Sequence, residues 1–250
     1  MLRHFFTNSA GIFISRILGF LRDLLTAASL GAGLWSDIFF VAFKLPNLFR
    51  RLFGEGAFTQ AFLPHFIKSS KKGLFLAEVL LKFSAFMLGL SLLVMLFTPL
   101  FTKLLALGFD AQSINLALPL VRINFWYLLC IFIVSVFASL LQYRSHFATS
   151  AFSTALLNIA MICALIFAHN KPQSTAALYL SWGVVAGGVL QVLAHLFAIK
   201  KLGLFKILTL GLAKFFGSQR AKMQGFYKSF FAGVLGSSAA QIGDFASTLI

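Results

Sequence analysis

Residues 15–51 read SRILGFLRDLLTAASLGAGLWSDIFFVAFKLPNLFRR, and this stretch decides the fold. It sets Arg16, Arg22, Asp23, Asp37, Lys44, Arg50 and Arg51 among residues otherwise apolar enough to sit in a bilayer. A charged side chain at the centre of a membrane helix costs about 2.5–3.5 kcal/mol on insertion scales, so such residues usually face a bundle interior or a water-filled cavity and mark a transport path.

Helical geometry aims those charges. At about 100° per residue, with Arg16 at zero, Arg22 falls at about 240°, Ser15 at about 260°, Asn8 and Thr26 at about 280°, Gly19 at about 300° and Asp23 at about 340°. Phe13, Ile14, Ile17, Leu18, Phe20, Leu21, Leu24 and Leu25 fill the remaining circle, and only Ile12 intrudes on the polar side. One face suits lipid and the other suits something polar. An Arg–Asp pair stapling two helices is the plain alternative. Two arginines against one aspartate leave the face net positive, which favours a cavity.

The next helix repeats the pattern. With Asp37 at zero, Lys44 lies at about 340°, Asn47 at about 280°, Arg51 at about 320° and Glu55 at about 0°, while Arg50 sits aside at about 220°. Pro46 removes an intrahelical hydrogen bond and clashes with the preceding turn, so a bend is expected between Lys44 and Arg50. The straight wheel favours Arg51 as the inward residue; a bend can re-aim Arg50.

Composition extends the reading to the whole chain. Of 250 residues, 60% are hydrophobic, 11% are charged and 32 are phenylalanine, with a mean hydropathy of +0.92. A soluble domain of this size cannot present so little polar surface, so the fold class is an all-α polytopic membrane protein. Apolar runs long enough to cross about 30 Å of hydrocarbon fall at roughly 5–30, 34–63, 74–101, 115–141, 149–169, 175–199 and 225–250, a bundle of about seven transmembrane helices. The amino terminus lacks a cleavage region and reads as an uncleaved first span.

The net charge of +15 follows membrane topology. A cytoplasmic amino terminus puts Arg3, Lys68, Lys71, Lys72, Arg144, Lys200, Lys201, Lys206, Lys214, Arg220, Lys222 and Lys228 inside, against Lys103 and Lys171 outside. These basic loops read as topology signals and anionic-lipid contacts, with membrane lipids as partners and no nucleic acid. Residues 1–199 form a six-span part, 200–224 a cytoplasmic basic amphipathic segment, and 225–250 the start of a further span that breaks off within a helix.

Other residues carry weaker signals. Glu78 and Lys82 form an ordinary helix pair four residues apart, and Asp110 opens a turn or helix cap. Arg122 reads as snorkelling outward, with Trp126 and Tyr127 as interfacial anchors. Asn158 reads as an interhelical hydrogen bond, and Gly183 and Gly187 as a small-residue seam. Asp244, with Gln241 in a run of small residues, is a candidate lumen residue. Cys130 and Cys163 read as packing residues, the five histidines as interfacial without metal-ligand spacing, and no phosphate-binding G-x-x-x-x-G-K-[ST] motif occurs.

SRILGFLRD followed by GAGLWSDIFFVAFKLPNLFRRLFGEGAFTQAFLP resembles the amino-terminal signature of the MurJ/MviN family of lipid II flippases, within the multidrug/oligosaccharidyl-lipid/polysaccharide exporter superfamily. LLNIAMI at 156–162 and GGVLQ at 187–191 extend the resemblance more weakly. The resemblance implies one lobe of a two-lobed transporter that moves lipid II, a polyprenyl diphosphate carrying a disaccharide-pentapeptide, between leaflets of the bacterial inner membrane. Arg16, Arg22 and Arg50 would engage the diphosphate and Asp23 would orient them. Asp37, Lys44, Asn47, Glu55 and Asp244 would line the cavity or its gates. It implies no catalytic residue, no metal and no cofactor, and leaves open coupling to an ion or to the membrane potential.

The family has about twice as many spans as are read here, so the missing carboxy-terminal lobe is an implied partner. The alternatives are another exporter of the superfamily, whether a polysaccharide-lipid flippase or a cation-coupled drug exporter, or a non-transporting fragment. A drug exporter for cationic cargo would favour acidic cavity residues, whereas cations outnumber acids in the first two spans.

Overall fold

A computed structural model describes residues 2–54, 57–106, 108–223, 225–233 and 235–236, with the side chains of 1–8 and 50–57 outside the description. Ten helices follow in order among these residues: α1 (Leu2–Leu30), α2 (Leu34–Gly54), α3 (Ala57–Lys68), α4 (Lys72–Leu96), α5 (Thr98–Leu105), α6 (Ala111–Phe125), α7 (Tyr127–Tyr143), α8 (Ala148–Phe167), α9 (Gln173–Lys201) and α10 (Phe205–Phe216). The expected seven spans therefore arrive as more, shorter pieces. Four stretches are long and apolar enough to cross a membrane: Lys72–Leu96, Ala111–Tyr143, Ala148–Phe167 and Gln173–Lys201. The charged α1 and α2 are not among them.

Local chemistry explains the breaks. Pro99, at the start of α5, lacks the N–H that would cap the Met95 carbonyl. Thr98 Oγ1 donates to Val94 and Met95 carbonyls at 2.8 and 2.9 Å instead, and Arg122 Nε donates to that hydroxyl at 3.1 Å. Arg122 thus secures a helix junction as well as lying exposed. The span expected at 115–141 starts earlier, because Asp110 caps α6 by accepting the Ser113 N–H at 3.0 Å and Pro119 is carried inside the helix. Hydrogen bonds from Ser113 hold the Asp110 carboxyl below its ordinary range. Gly31 ends α1 with a φ of +66°, a conformation glycine adopts without strain.

Small residues set the packing. A Cβ on Gly183 would stand 2.8 Å from that of Ala164, and one on Gly187 would stand 2.7 Å from Leu157 Cδ1, so α9 lies directly against α8. Gly188 turns the same stripe toward Tyr127 and Cys130 of α7. This is the close-approach seam expected from the glycine spacing, and it matters because lipid-immersed helices associate through packing and hydrogen bonds rather than through exclusion of water.

A second cluster is aromatic. Phe58, Phe62, Phe66, Phe75, Phe132 and Phe226 are all buried to within 2%. Phe58 alone stands edge-on to Phe83, Phe132, Phe226 and Phe230 at 5.5–6.4 Å between ring centres. Residues 225–233 contribute Phe226 and Phe230 to this core, so the chain beyond α10 returns to the bundle.

Two expectations are corrected. Tyr127 is no interfacial anchor: it is fully buried, and its hydroxyl donates to Gln191 Oε1 at 3.3 Å. His195 is not interfacial either, being fully buried with Nδ1 2.8 Å from the Gln191 carbonyl. The reason is shared, since both fall where glycine seams draw α7, α8 and α9 together.

Candidate functional site

The polar arc of α1 divides in two. Gly11, Ser15 and Gly19 recur every fourth residue and bring the α1 backbone onto α8, with a Cβ on Gly11 only 2.8 Å from that of Ala151. Ser15 Oγ donates to the Ala151 carbonyl at 3.2 Å, and Asn158 Nδ2 donates to the Ser15 carbonyl at 3.0 Å. Thr26 is buried on the same side and donates to the Arg22 carbonyl at 2.8 Å. The centre of the arc is thus a helix–helix seam, and only its flank remains open.

Arg22 sits on the boundary. Its Nη1 donates to Asn158 Oδ1 at 2.9 Å, while Nε and Nη2 both donate to Asp23 Oδ1 at 3.0 and 2.6 Å. The Arg22 side chain is 23% exposed and that of Asp23 63%. Asn158 therefore fixes one edge of the guanidinium and leaves the other edge to an exposed carboxylate on the adjacent residue. Exposed ion pairs are worth about 0–1 kcal/mol, so an anion of higher charge can displace Asp23 at little cost. Arg16 lies on the exposed side of α1, nearly two turns away.

The charged face of α2 is different. Asp37, Lys44 and Asn47 line one cavity of about 610 Å³ with Phe40, Val41, Phe43, Leu48 and Phe109. Asp37 and Lys44 are exposed and Asn47 half-buried. Helix α2 runs through Pro46 to Gly54, with Pro46 buried. Asn47, one residue beyond the proline, keeps the face that the straight wheel assigned to it.

Arg50 lies on α2, but its side chain and that of Arg51 are outside the described residues, as are Glu55 and Asp244. Among the described residues, no group of three or more His, Cys, Asp or Glu could hold a metal ion. The role of Asn158 as holder of Arg22 was only half legible: the sequence marked it as an interhelical hydrogen bond without naming its partner. The Gly11, Ser15, Gly19 repeat was the available signal.

A helical bundle with lipid-compatible outer surfaces and ionisable side chains on faces left open by its own packing defines a multi-pass membrane protein. Residues 26–250 match the family described as Lipid II flippase MurJ, and the chain belongs to that family. A probable lipid II flippase MurJ of Helicobacter pylori is 50% identical over 232 residues, covering 88% of this chain and 50% of the relative. The lipid II flippase MurJ of Burkholderia cenocepacia is 33% identical over 219 residues, covering 84% and 42%. A solved structure titled lipid II flippase MurJ, inward closed conformation, superposes with a TM-score of 0.74 at 26% identity, covering 91% of this chain and 47% of that one. The chain spans about half the length of the curated relatives it matches.

Proposed function

We propose that this chain forms the amino-terminal lobe of a lipid II flippase, which moves a polyprenyl-diphosphate-linked peptidoglycan precursor from the cytoplasmic to the periplasmic leaflet of the inner membrane by alternating access. It works by transport, with no covalent chemistry on the cargo. The amino terminus is cytoplasmic, as the distribution of lysine and arginine favours. A second lobe closes the cavity, since one lobe alone has no facing wall.

The observation that carries this reading is Arg22. A planar guanidinium stays charged at any physiological pH and meets phosphate oxygens with paired N–H groups. Here Asn158 holds it at one edge while the other edge rests on an exposed Asp23. The diphosphate takes the place of Asp23 on that edge, Arg16 and Arg50 add charge, and Asp23 returns to the fork when cargo leaves. Asp37, Lys44 and Asn47 hold water and polar cargo groups along α2, and Glu55 and Asp244 serve its gates.

The test is complementation in a strain depleted of its own flippase, using the full-length protein. Arg22→Ala and Arg16→Ala are expected to abolish growth while the protein accumulates in the membrane. Arg22→Lys is expected to restore growth only in part, because a point charge cannot reproduce the fork. Full growth with Arg22→Ala removes the diphosphate role.

A further inference from the structure

A cluster unrelated to the cavity residues lies at the α3–α4 turn. Lys68 and Lys71 of that turn meet Arg220 and Lys222, from the segment after α10, around a cavity of about 440 Å³. That volume falls within the roughly 300–1,000 Å³ typical of ligand pockets. No carboxylate lines it. Glu78 on α4 is fully buried; it accepts hydrogen bonds from Lys82 Nζ at 2.6 Å and from the Ala221 backbone N–H, so its charge is already met.

The contact to Ala221 explains how the site is assembled. Ala221 stands between Arg220 and Lys222, so a buried carboxylate on α4 pins the centre of that short segment and leaves its two cations at the cavity. Arg220 is further fixed by donating to the Phe215 and Gln219 carbonyls at 3.1 and 2.8 Å and by stacking 4.5 Å over the Phe215 ring. A second groove of about 300 Å³ shares Ser70 and Lys71 with the first, carries Lys72 and Lys214 as well, and has apolar walls from Leu74, Ile207 and Leu210. A close Gly73–Gly211 approach presses α10 onto α4 to make that wall. Cations on both grooves and the apolar walls of the second form an amphipathic site.

We propose that these adjoining grooves bind the phosphate headgroup of a membrane lipid, with Lys68, Lys71, Arg220 and Lys222 on the phosphate, an acyl chain along Ile207 and Leu210, and Glu78 as the positioning residue. The apolar groove is what favours a lipid over a free phosphate, because inorganic phosphate gains nothing from it. Juxtamembrane cation clusters attract anionic headgroups in this way.

Native mass spectrometry of the purified full-length protein, titrated with phosphatidylglycerol, phosphatidylcholine or inorganic phosphate, tests the site. Phosphatidylglycerol is expected to bind saturably and in preference to phosphatidylcholine. The Lys68→Gln, Lys71→Gln, Lys222→Gln triple variant, altered only at exposed positions, is expected to weaken it on the order of a hundredfold through loss of three juxtamembrane charges. Glu78→Ala is expected to weaken binding while Glu78→Gln, which keeps an acceptor for the Ala221 N–H, restores it. Equal affinity in wild type and triple variant overturns the proposal, and so does displacement of the lipid by millimolar inorganic phosphate, which would make this a free-phosphate site.

Discussion

Helices α1 and α2 both carry a polar arc through an apolar sequence, yet the bundle uses the two arcs in opposite ways. On α1, Ser15 and Thr26 are buried against neighbours and Arg22 is half-buried at Asn158. On α2, Asp37, Lys44 and Asn47 line an open cavity. The difference lies in what accompanies the charge. The α1 arc holds Gly11, Ser15 and Gly19 at four-residue spacing, small enough for another backbone to approach. The α2 arc is flanked by Phe40, Val41, Phe43 and Leu48 and carries no comparable run of small residues. Charge alone marks a polar face; the size of the neighbouring residues decides whether that face becomes a seam or a cavity.

The sharpest way to break this contrast is to fill the seam. Gly11→Leu drives a branched side chain into Ala151 and Phe152, atoms already 2.8–3.2 Å from the position of a single added Cβ. Overpacking of this kind costs about 1–3 kcal/mol or more. Thermal melting of the purified full-length protein is expected to fall by several degrees, whereas Leu48→Ala on the α2 face should leave it nearly unchanged.

A smaller effect comes from Asn158→Ala. It removes the acceptor for Arg22 Nη1 and the donor to the Ser15 carbonyl, and leaving such groups unmet costs about 1–3 kcal/mol. Growth support is expected to drop with the melting temperature, because the same side chain holds the seam and aims Arg22. Asn158→Asp keeps an acceptor for Arg22 and is expected to retain part of the growth. Equal growth for Asn158→Ala and wild type separates Arg22 from its α8 anchor.

How much of this was legible in the sequence follows the same division. The membrane-spanning all-α class, the glycine seam of α9, the Asp110 cap and the shared face of Asp37, Lys44 and Asn47 were all readable, because each depends on spacing along one helix. Two readings that depended on which helix would arrive from elsewhere failed. Tyr127 and His195 looked interfacial by position, yet Tyr127 packs on Gly188 and His195 is buried beside Gln191, whose amide donates to the Ser153 carbonyl of α8. Pro46 is carried inside α2, which continues through it with the proline buried, in keeping with the way membrane helices tolerate proline when neighbours satisfy the freed backbone.

The continuity of α2 sharpens a narrower choice. The straight wheel directs Arg51 toward the cavity face, while the family signature directs Arg50, and the two positions differ by about 100°. Arg50 is expected to be the residue that matters: Arg50→Ala should fail to support growth and Arg51→Ala should be mild. The reverse result gives the face to Arg51 and makes the uninterrupted helix the better guide.

The central claim is that α1 presents a seam where α2 presents a water-filled face. The direct measurement is thiol accessibility in the full-length protein, with Cys130 and Cys163 first replaced by alanine and single cysteines then placed at positions 15, 19, 44 and 47. A water-soluble maleimide is expected to label positions 44 and 47 and to spare 15 and 19 in the folded protein, while all four react once it is denatured. Fast labelling at 15 and 19 with protection at 44 and 47 would contradict the account, placing the cavity on α1 and the packed surface on α2.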